Sequence, residues 1–502
     1  MLQIVNLVVN LVLPPVIIGV YGSNVNGLVT SIRQLIVYLN LVEAGLSGAA
    51  VYALYKPLAE KDKDDINGIL SASNRFYNIS GFIFSGLVLI SAFVYPMFTS
   101  GQGIAWQTIV ALVIIIGTSG ALEFFAVGKY KVLYTADQRS YVISLINAAA
   151  VAINAIIILI LASLHFDIVI VQLLALASFF ARSFFYALYG KIKYPDLNFK
   201  APPKNEALDK RWDALILQIL GVASTATPVI VTSLVLGLNE ASVFGVYNMV
   251  FTAVLALLTA FSNGLSAVFG DLLVRNEQGT LQKAYKQYEY LYYGLVAWGY
   301  ACAAILIMPF MGFYAGGFTD ANYIRPDIAA LFVACGIITN IKNPQGMLVI
   351  SAGLYKETRL QSTIQAAIVV VASFALAPSM GIAGVLIGSI LSNLYRDIDL
   401  TFYIPRTVTK LKPSMTIRRL LRLAVLFFIT VLPALRFIEL KPQNFAQWVL
   451  EAIPVAIWAF IIIAGGNIIL EKKTAADIMT RIKWLYSQKR AHKSPGPGGN
   501  SF

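Results

Sequence analysis

The chain has 502 residues, of which 58% are hydrophobic and only 13% are charged, and its formal net charge is +13. Soluble domains carry about 25% charged residues, so the composition excludes a soluble globular protein and indicates an all-α polytopic membrane protein. The two cysteines lie inside apolar runs and the chain has only two histidines, which excludes a disulfide framework and a His-rich metal site.

Apolar runs of transmembrane length recur along the whole chain. We predict about 14 transmembrane helices, at residues 1–21, 28–54, 69–95, 104–127, 141–163, 168–190, 212–237, 242–269, 287–314, 327–354, 360–377, 382–404, 419–436 and 446–470. The first run lacks a basic leader and an A-x-A cleavage site, so we interpret it as a span and not as a signal peptide. Residues 471–502 are expected to form a cytoplasmic tail, with a surface helix from Glu471 to Lys493 and a Gly/Pro-rich end.

Basic residues are distributed unevenly between alternate loops. Of the 38 lysines and arginines, 30 lie in one set of loops and in the C-terminal tail, whereas the opposite set holds only Arg325, Arg436 and Lys441. The positive-inside rule therefore predicts that both termini are cytoplasmic. Because the charge is spread over the loops of one membrane face, it argues against nucleic-acid binding.

Two parts of the sequence match each other at a nearly constant spacing. Arg182 in the sixth predicted span matches Arg396 in the twelfth, and Gly27 matches Gly245. We therefore predict two parallel six-helix bundles around a central cavity, which Arg182 and Arg396 would line, as in transporters built from parallel repeats. The predicted segments are an N-terminal bundle, a cytoplasmic linker, a C-terminal bundle and two additional helices, at 1–190, 191–211, 212–404 and 405–470.

Polar side chains inside the spans are candidates for a substrate pathway, because polar groups are costly in lipid. Gln3, Asn6 and Asn10 share one face of the first helix, and Arg33 and Asn40 share one face of the second. The amides either contact substrate or form helix–helix hydrogen bonds without a function in transport. Arg33 either contacts substrate or extends to the outer surface.

Arg182 lies deep within its span and has no acid within four residues on the same helix. An arginine at such a depth costs roughly 2.5–3.5 kcal/mol on insertion scales. Three explanations remain open: the side chain snorkels to the cytoplasmic surface, it forms a structural ion pair with Glu43 or Glu123, or it binds an anionic substrate.

Two further basic residues lie within predicted spans. Arg396 is partly neutralised by Asp397 and Asp399, and Lys342 precedes Pro344, which is expected to kink its helix. The basic residues of the spans outnumber the acids that remain to neutralise them, so we predict a negatively charged substrate. Arginine suits phosphate oxygens because its guanidinium group can bind two of them at once.

Four stretches follow one another in an order that is similar to a known family: "QIVNLVVNLVLPPVIIGVYGSNVNGL", "EAGLSGAAVYAL", "KVLYTADQRSYVISLINAAAVAINAIIIL" and "AGLYKETRLQSTIQAAIVVVASFALAPSMGIAGVLIGSILS". They resemble the polysaccharide biosynthesis/export proteins, the Wzx-type O-antigen and capsule repeat-unit flippases of the multidrug/oligosaccharidyl-lipid/polysaccharide (MOP) superfamily. The resemblance implies translocation of undecaprenyl-pyrophosphate-linked oligosaccharide repeat units from the cytoplasmic to the outer leaflet of the bacterial cell membrane. It also implies a cationic lumen, for which Arg33, Arg182, Lys342 and Arg396 are the best candidates in this sequence.

Other functions remain open. A multidrug or metabolite antiporter and a peptidoglycan-precursor flippase of the same superfamily share the architecture, although antiporters of cations usually carry more acid within the membrane. A lipid-oligosaccharide polymerase, ligase or glycosyltransferase would need catalytic groups in large outer loops, and a scaffold or channel would not need basic residues at repeated positions.

We therefore expect a transporter and not an enzyme. It would act without a cofactor, as a monomer among membrane lipids, with other polysaccharide-assembly proteins as possible partners. Coupling to H⁺ or Na⁺ is predicted at Glu43 or Glu123, because they are acids within predicted spans.

Overall fold

The computed structural model describes residues 2–43, 46–99, 103–204, 211–262 and 264–491. Within these ranges the chain is helical and contains no strand, which confirms the predicted fold class. The helices in chain order are α1 (Leu2–Tyr21), α2 (Ser23–Leu39), α3 (Leu46–Glu60), α4 (Lys63–Thr99), α5 (Trp106–Leu122), α6 (Gly128–Ala136), α7 (Ser140–Ser163), α8 (Ile168–Ala175), α9 (Ala177–Lys193), α10 (Arg211–Val231), α11 (Leu238–Ser262), α12 (Leu265–Val274), α13 (Gln278–Ala315), α14 (Pro326–Ile341), α15 (Asn343–Ser351), α16 (Arg359–Met380), α17 (Ile382–Ile404), α18 (Pro413–Phe437), α19 (Phe445–Leu470) and α20 (Lys472–Ala491).

Twelve helical segments of the described residues are long and apolar enough to cross a membrane, and they correspond to 12 of the 14 predicted spans. The predicted span 327–354 is divided into α14 and α15 at Lys342, which confirms the interruption expected next to Pro344. The predicted span 382–404 forms α17, which has the length of a span but carries three charged side chains near its end.

The second predicted span, 28–54, differs from the structure at both ends. Gly22 makes the turn after α1 with a φ of 84°, a backbone angle that glycine adopts readily, so α2 already begins at Ser23. The helix tightens to a 3₁₀ turn at Asn40–Glu43, and α3 then runs from Leu46. The predicted outer loop at 22–27 is therefore mostly helical.

Helix packing divides the chain into two compact units. Unit 1 comprises Met1–Ala256, Met311–Cys335 and Leu354–Arg396, and unit 2 comprises Leu257–Phe310, Gly336–Gly353 and Asp397–Phe502. These units do not coincide with the predicted bundles, so the organisation into two six-helix bundles around a central cavity stays a prediction. Residues 205–210 of the predicted linker and 492–502 of the predicted tail lie outside the described residues.

Within unit 1, α2 and α11 pack closely because each presents a glycine to the other helix. A Cβ atom at Gly27 would lie 1.8 Å from the carbonyl oxygen of Leu238, and a Cβ atom at Gly245 would lie 3.1 Å from Cγ2 of Thr30. Gly27 and Gly245 are the two positions that the sequence repeat matches. Each helix therefore contributes one glycine to the contact, and the equivalence of the two halves stays a prediction.

Side chains from two predicted outer loops and from the start of a predicted span join beside this contact. Ser23 donates from its backbone nitrogen and its hydroxyl to the carboxylate of Asp320, at 2.6 and 2.8 Å. The hydroxyl of Tyr323 lies 2.7 Å from those of Ser23 and Ser242, and the amide of Asn26 donates to Ser242 at 2.7 Å. These hydrogen bonds form a contact on the predicted outer side of unit 1, which we call the closed outer contact.

Unit 2 contains a buried ion cluster that joins α13 to α18. The carboxylate of Glu289 is fully buried and accepts hydrogen bonds from Arg419 at 2.8 Å, Thr416 at 2.7 Å and Tyr285 at 3.1 Å. Three donors compensate the cost of burying this charge.

The predicted surface helix of the tail corresponds to α20 over the described residues.

Candidate functional site

A polar cavity of about 880 Å³ lies inside unit 1, among α2, α3, α5, α6 and α9. Its lining contains four of the residues that the sequence singles out, one of them a cation, two of them acids and one an amide: Asn40, Glu43, Glu123 and Arg182. The cavity also exposes Lys131, Ser47 and Ser119.

Glu123 lies between two cations of this cavity. Its Oε2 atom is 3.0 Å from Nη2 of Arg182, and its Oε1 atom is 3.1 Å from Nζ of Lys131. The guanidinium group of Arg182 also lies over the ring of Phe179, 5.3 Å from its centroid. Of the three explanations for Arg182, the structure contains the ion pair with Glu123, and the pair faces the cavity.

Glu43 is positioned by an aromatic side chain that the sequence interpretation missed. The hydroxyl of Tyr77 donates to Oε1 of Glu43 at 3.0 Å. The ring of Tyr77 can lie against α6 because Gly128 has no side chain there, since a Cβ atom at Gly128 would be 2.5 Å from the ring. The carboxylate of Glu43 therefore accepts a hydrogen bond from Tyr77 and also lines the cavity.

Lys131 is the cation of this cavity that the sequence interpretation missed. The charge pattern assigns Lys131 to a cytoplasmic loop that follows a span ending near residue 127. In the structure, a π-helical segment at Glu123–Val127 joins α5 to α6, so one continuous helical span runs from Trp106 to Ala136. Such π turns occur frequently at functional sites, but they cannot be predicted from the pattern of apolar residues.

A second cavity of about 300 Å³ adjoins the first, with which it shares Ile36, Ser119 and Phe179. Arg33 lines this second cavity and is exposed in it. Within the part of the chain that the structure describes, Arg33 forms no hydrogen bond and no ion pair. A role of Arg33 in binding stays a prediction.

Apart from Arg33 and Ser119, the polar residues that line the second cavity are amides, and the rest of the lining is apolar. Asn6 and Asn10 come from the predicted polar face of α1, whereas Asn154 and Gln172 were not predicted. Asn154 donates to the carbonyl oxygen of Ala175 at 3.1 Å. Gln172 is 7% exposed, and its amide nitrogen has no partner among the described residues. Both residues could have been predicted from the sequence, because each is an amide within a strongly apolar run.

Three predicted site residues line neither cavity. Gln3 lies on α1 and is exposed. Lys342 lies in unit 2 between α14 and α15, where its Nζ atom donates to the carbonyl oxygen of Thr339 at 3.3 Å. Arg396 lies on α17 in unit 1 and is buried. The prediction that Arg182 and Arg396 line one cavity stays untested.

The two adjoining cavities contain more positive than negative charge. The cations are Arg33, Lys131 and Arg182, and the acids are Glu43 and Glu123. Because Glu123 already contacts two cations, Arg33 is left as a guanidinium group without a counter-charge among the described residues. Amides and a guanidinium group are hydrogen-bond donors for an oxyanion such as phosphate.

The sequence matches no protein-family model and no curated protein. Among solved structures, an inward-facing multidrug-resistance transporter of the MATE family is similar over 85% of this chain and 95% of that chain, with a TM-score of 0.64 and 14% identity. The lipid II flippase MurJ in an inward closed conformation is similar over 94% of this chain and 97% of that chain, with a TM-score of 0.64 and 13% identity.

A MOP-superfamily transporter from Pyrococcus furiosus is similar over 85% of this chain and 94% of that chain, with a TM-score of 0.54 and 16% identity. That transporter is described by the reverse polarity of its binding pocket. The chain has the fold of the MOP-superfamily transporters. At these identities the similarity establishes the fold, and the function has to be argued from the site.

Proposed function

We propose that the chain is a flippase for undecaprenyl-pyrophosphate-linked oligosaccharide repeat units, which it moves by alternating access from the cytoplasmic to the outer leaflet for surface-polysaccharide assembly. The observation that carries the proposal is Arg33, a guanidinium group without a counter-charge among the described residues, in a cavity whose other polar lining residues are four amides and one serine. A pyrophosphate would supply the missing negative charge, and amides would also suit the hydroxyl groups of a glycan.

The neighbouring ion pair of Arg182 and Glu123 would relay the anion through the larger cavity. A phosphate that approaches Arg182 competes with Glu123 for the same guanidinium group, whereas Lys131 can keep Glu123 neutralised while they separate. Protonation of Glu123 or Glu43, or cation binding there, would then reset the pair. Coupling to H⁺ or Na⁺ would then take place at the two acids that line the larger cavity.

The outer hydrogen bonds of unit 1 support an alternating-access cycle. Ser23, Asp320 and Tyr323 close the side that carries few basic loop residues, which is the side predicted to face outward. In this conformation, substrate would enter from the predicted cytoplasmic side. The protein would act as a multi-pass protein of the bacterial cell membrane, with both termini in the cytoplasm.

A flippase for a peptidoglycan precursor is the second candidate. Its support is the structure of the lipid II flippase MurJ, which covers 94% of this chain, against 85% for the MATE transporter. A multidrug antiporter is less well supported, because a surplus of cations in the two cavities disfavours a cationic drug. An enzyme is disfavoured because the structural neighbours are transporters and flippases.

Binding to the purified chain separates a flippase for pyrophosphate-linked lipids from a multidrug antiporter. We expect undecaprenyl pyrophosphate to bind, and a lipophilic quaternary ammonium cation not to compete with it. Replacing Arg33 by alanine should weaken binding of the pyrophosphate by about tenfold to a hundredfold, since a hydrogen bond to a charged group contributes about 1.5–3 kcal/mol. Tight binding of the cation and none of the pyrophosphate would contradict the proposal and favour the antiporter.

A further inference from the structure

A cavity in unit 2, separate from the site described above, is strongly basic. Its volume is about 670 Å³, and Glu471 is the acidic residue in its lining. Six basic side chains contribute to the lining: Lys286, Lys410, Lys412, Arg418, Arg419 and Arg422. All six belong to the loops and helix ends that the charge pattern assigns to the cytoplasmic face.

Most of these cations have no acidic partner. Glu471 lies 2.8 Å from Arg422 and also contacts Arg419, which is bound in addition by the buried Glu289. Within the described part of the chain, the other four basic side chains have no carboxylate at ion-pair distance: Lys286, Lys410, Lys412 and Arg418. The cavity therefore has a net positive charge.

Glu471 stays ionised in this setting. Its partial burial raises the pKa, but the hydrogen bonds from Arg419 and Thr474 outweigh this effect and hold the pKa below its ordinary value. Glu471 is thus committed to Arg419 and Arg422 at neutral pH and cannot neutralise the remaining cations.

Hydrogen bonds from α13 hold the backbone of the segment between α17 and α18, which carries Lys410 and Lys412. The amide of Gln278 on α13 donates to the carbonyl oxygens of Val408 and Thr409 at 2.9 and 3.0 Å, and Gln282 donates to Thr409 at 2.9 Å. Lys410 follows in a left-handed conformation with a φ of 56°. A site held in this way loses little entropy when an anion binds.

An apolar groove of about 470 Å³ adjoins the basic cavity. The two share the α19–α20 junction, where Glu471 lines the cavity and the next residue, Lys472, lines the groove. The guanidinium group of Arg422 lies over the ring of Tyr290, which lines the groove, at 5.4 Å. From Tyr290 to Trp298 the groove follows eight residues of α13, or roughly 12 Å at 1.5 Å per residue.

We infer that the basic cavity and the apolar groove together bind one anionic phospholipid of the bilayer, with the headgroup phosphate among the basic side chains and an acyl chain in the groove. Basic pockets between transmembrane helices on the cytoplasmic side are suited to anionic headgroups. The groove favours a lipid over a soluble phosphate, because a soluble phosphate has no apolar part that the groove could bury. The inference does not depend on the transported substrate.

Native mass spectrometry of the full chain in neutral detergent tests this lipid site. We expect phosphatidylglycerol to remain bound and phosphatidylcholine with the same acyl chains to be lost. The double variant Lys412→Gln, Arg418→Gln should weaken phosphatidylglycerol binding by roughly thirtyfold, because each basic residue near an anionic lipid contributes a factor of about five. The matched control, Lys191→Gln with Lys193→Gln, removes the same charge from the end of α9 and should leave binding unchanged.

Three results would overturn the inference. Equal losses in the double variant and its control would mean that only general surface charge is involved. Equal retention of the two lipids would mean that the site does not select an anion, and binding of glycerol phosphate as tightly as phosphatidylglycerol would mean a soluble anion site.

A groove variant tests the acyl chain separately. Ala476→Trp, at an exposed position on α20, should fill the groove and reduce phosphatidylglycerol retention while glycerol phosphate binding is unaffected. Unchanged retention would contradict the placement of the chain. If the double variant does not fold, Lys410→Gln, which alters one exposed side chain, provides the same comparison with a roughly fivefold effect.

Discussion

Replacing Gly27 by alanine perturbs the contact between α2 and α11 in a way that can be calculated from the structure. The new Cβ atom would lie 1.8 Å from the carbonyl oxygen of Leu238 and 2.7 Å from its carbonyl carbon. Because both atoms belong to the backbone, no side chain can move aside. A Cβ contact requires at least about 3.0 Å, so the helices must separate by about 1.2 Å.

The free energy of this change has two opposing parts. Overpacking costs about 1–3 kcal/mol, and alanine recovers up to about 1 kcal/mol of helix propensity relative to glycine. We expect a net cost of about 1–2 kcal/mol to the closed outer contact. Gly19→Ala is the matched control, since a Cβ atom there would meet nothing within 4 Å.

Thiol labelling measures the opening of this contact. Ser242 is fully buried in the closed outer contact, so a Ser242→Cys reporter, with Cys302 and Cys335 replaced by alanine, should react slowly with a membrane-impermeant maleimide. Gly27→Ala should accelerate the reaction by about five- to thirtyfold, the factor that 1–2 kcal/mol represents. Identical rates in the Gly27→Ala and Gly19→Ala backgrounds would refute the reasoning.

Three further predictions concern the ion pairs and the tail. Glu289→Gln removes the buried partner of Arg419 and should lower the free energy of unfolding by about 3 kcal/mol, read as a lower melting temperature in detergent, whereas Glu439→Gln in an exposed pair should cause no measurable change. Arg182→Lys should preserve part of the polysaccharide export of a dependent strain and Arg182→Ala should abolish it, with normal insertion of both; parental export by both would contradict a role in binding. Truncation after Glu471 should lower membrane abundance modestly and leave transport per molecule intact, and loss of transport at normal abundance would instead indicate a direct role for the tail.

The sequence was sufficient for the membrane class and for most of the spans, because hydropathy reports directly on burial in lipid. It also located the interruption at Lys342, since Pro344 cannot continue the hydrogen bonding of the helix. The 3₁₀ turn after α2 and the start of α2 at Ser23 were missed, because both depend on local backbone geometry that a hydropathy window averages out.

The candidate site was predicted only in part. The polar faces of α1 and α2 led to Asn6, Asn10 and Arg33 because helix periodicity fixes which residues share a face. Lys131 was missed because the π-helical segment before it extends the helix past the apparent end of the apolar run. The partner of Arg182 could not be fixed from sequence, since Glu123 lies on another helix and two acids were available.

Translocation in reconstituted vesicles tests the central claim most directly. A fluorescent undecaprenyl-pyrophosphate-linked oligosaccharide is placed in both leaflets, and the fraction reached by a membrane-impermeant quencher is followed over time. We predict rapid transfer between leaflets with the parent chain and with Arg75→Ala, which removes an exposed arginine outside the two cavities. With Arg33→Ala, transfer should slow by at least about tenfold. Transfer at the parental rate with Arg33→Ala, or none with the parent chain, would contradict a pyrophosphate-lipid flippase that works through this cavity.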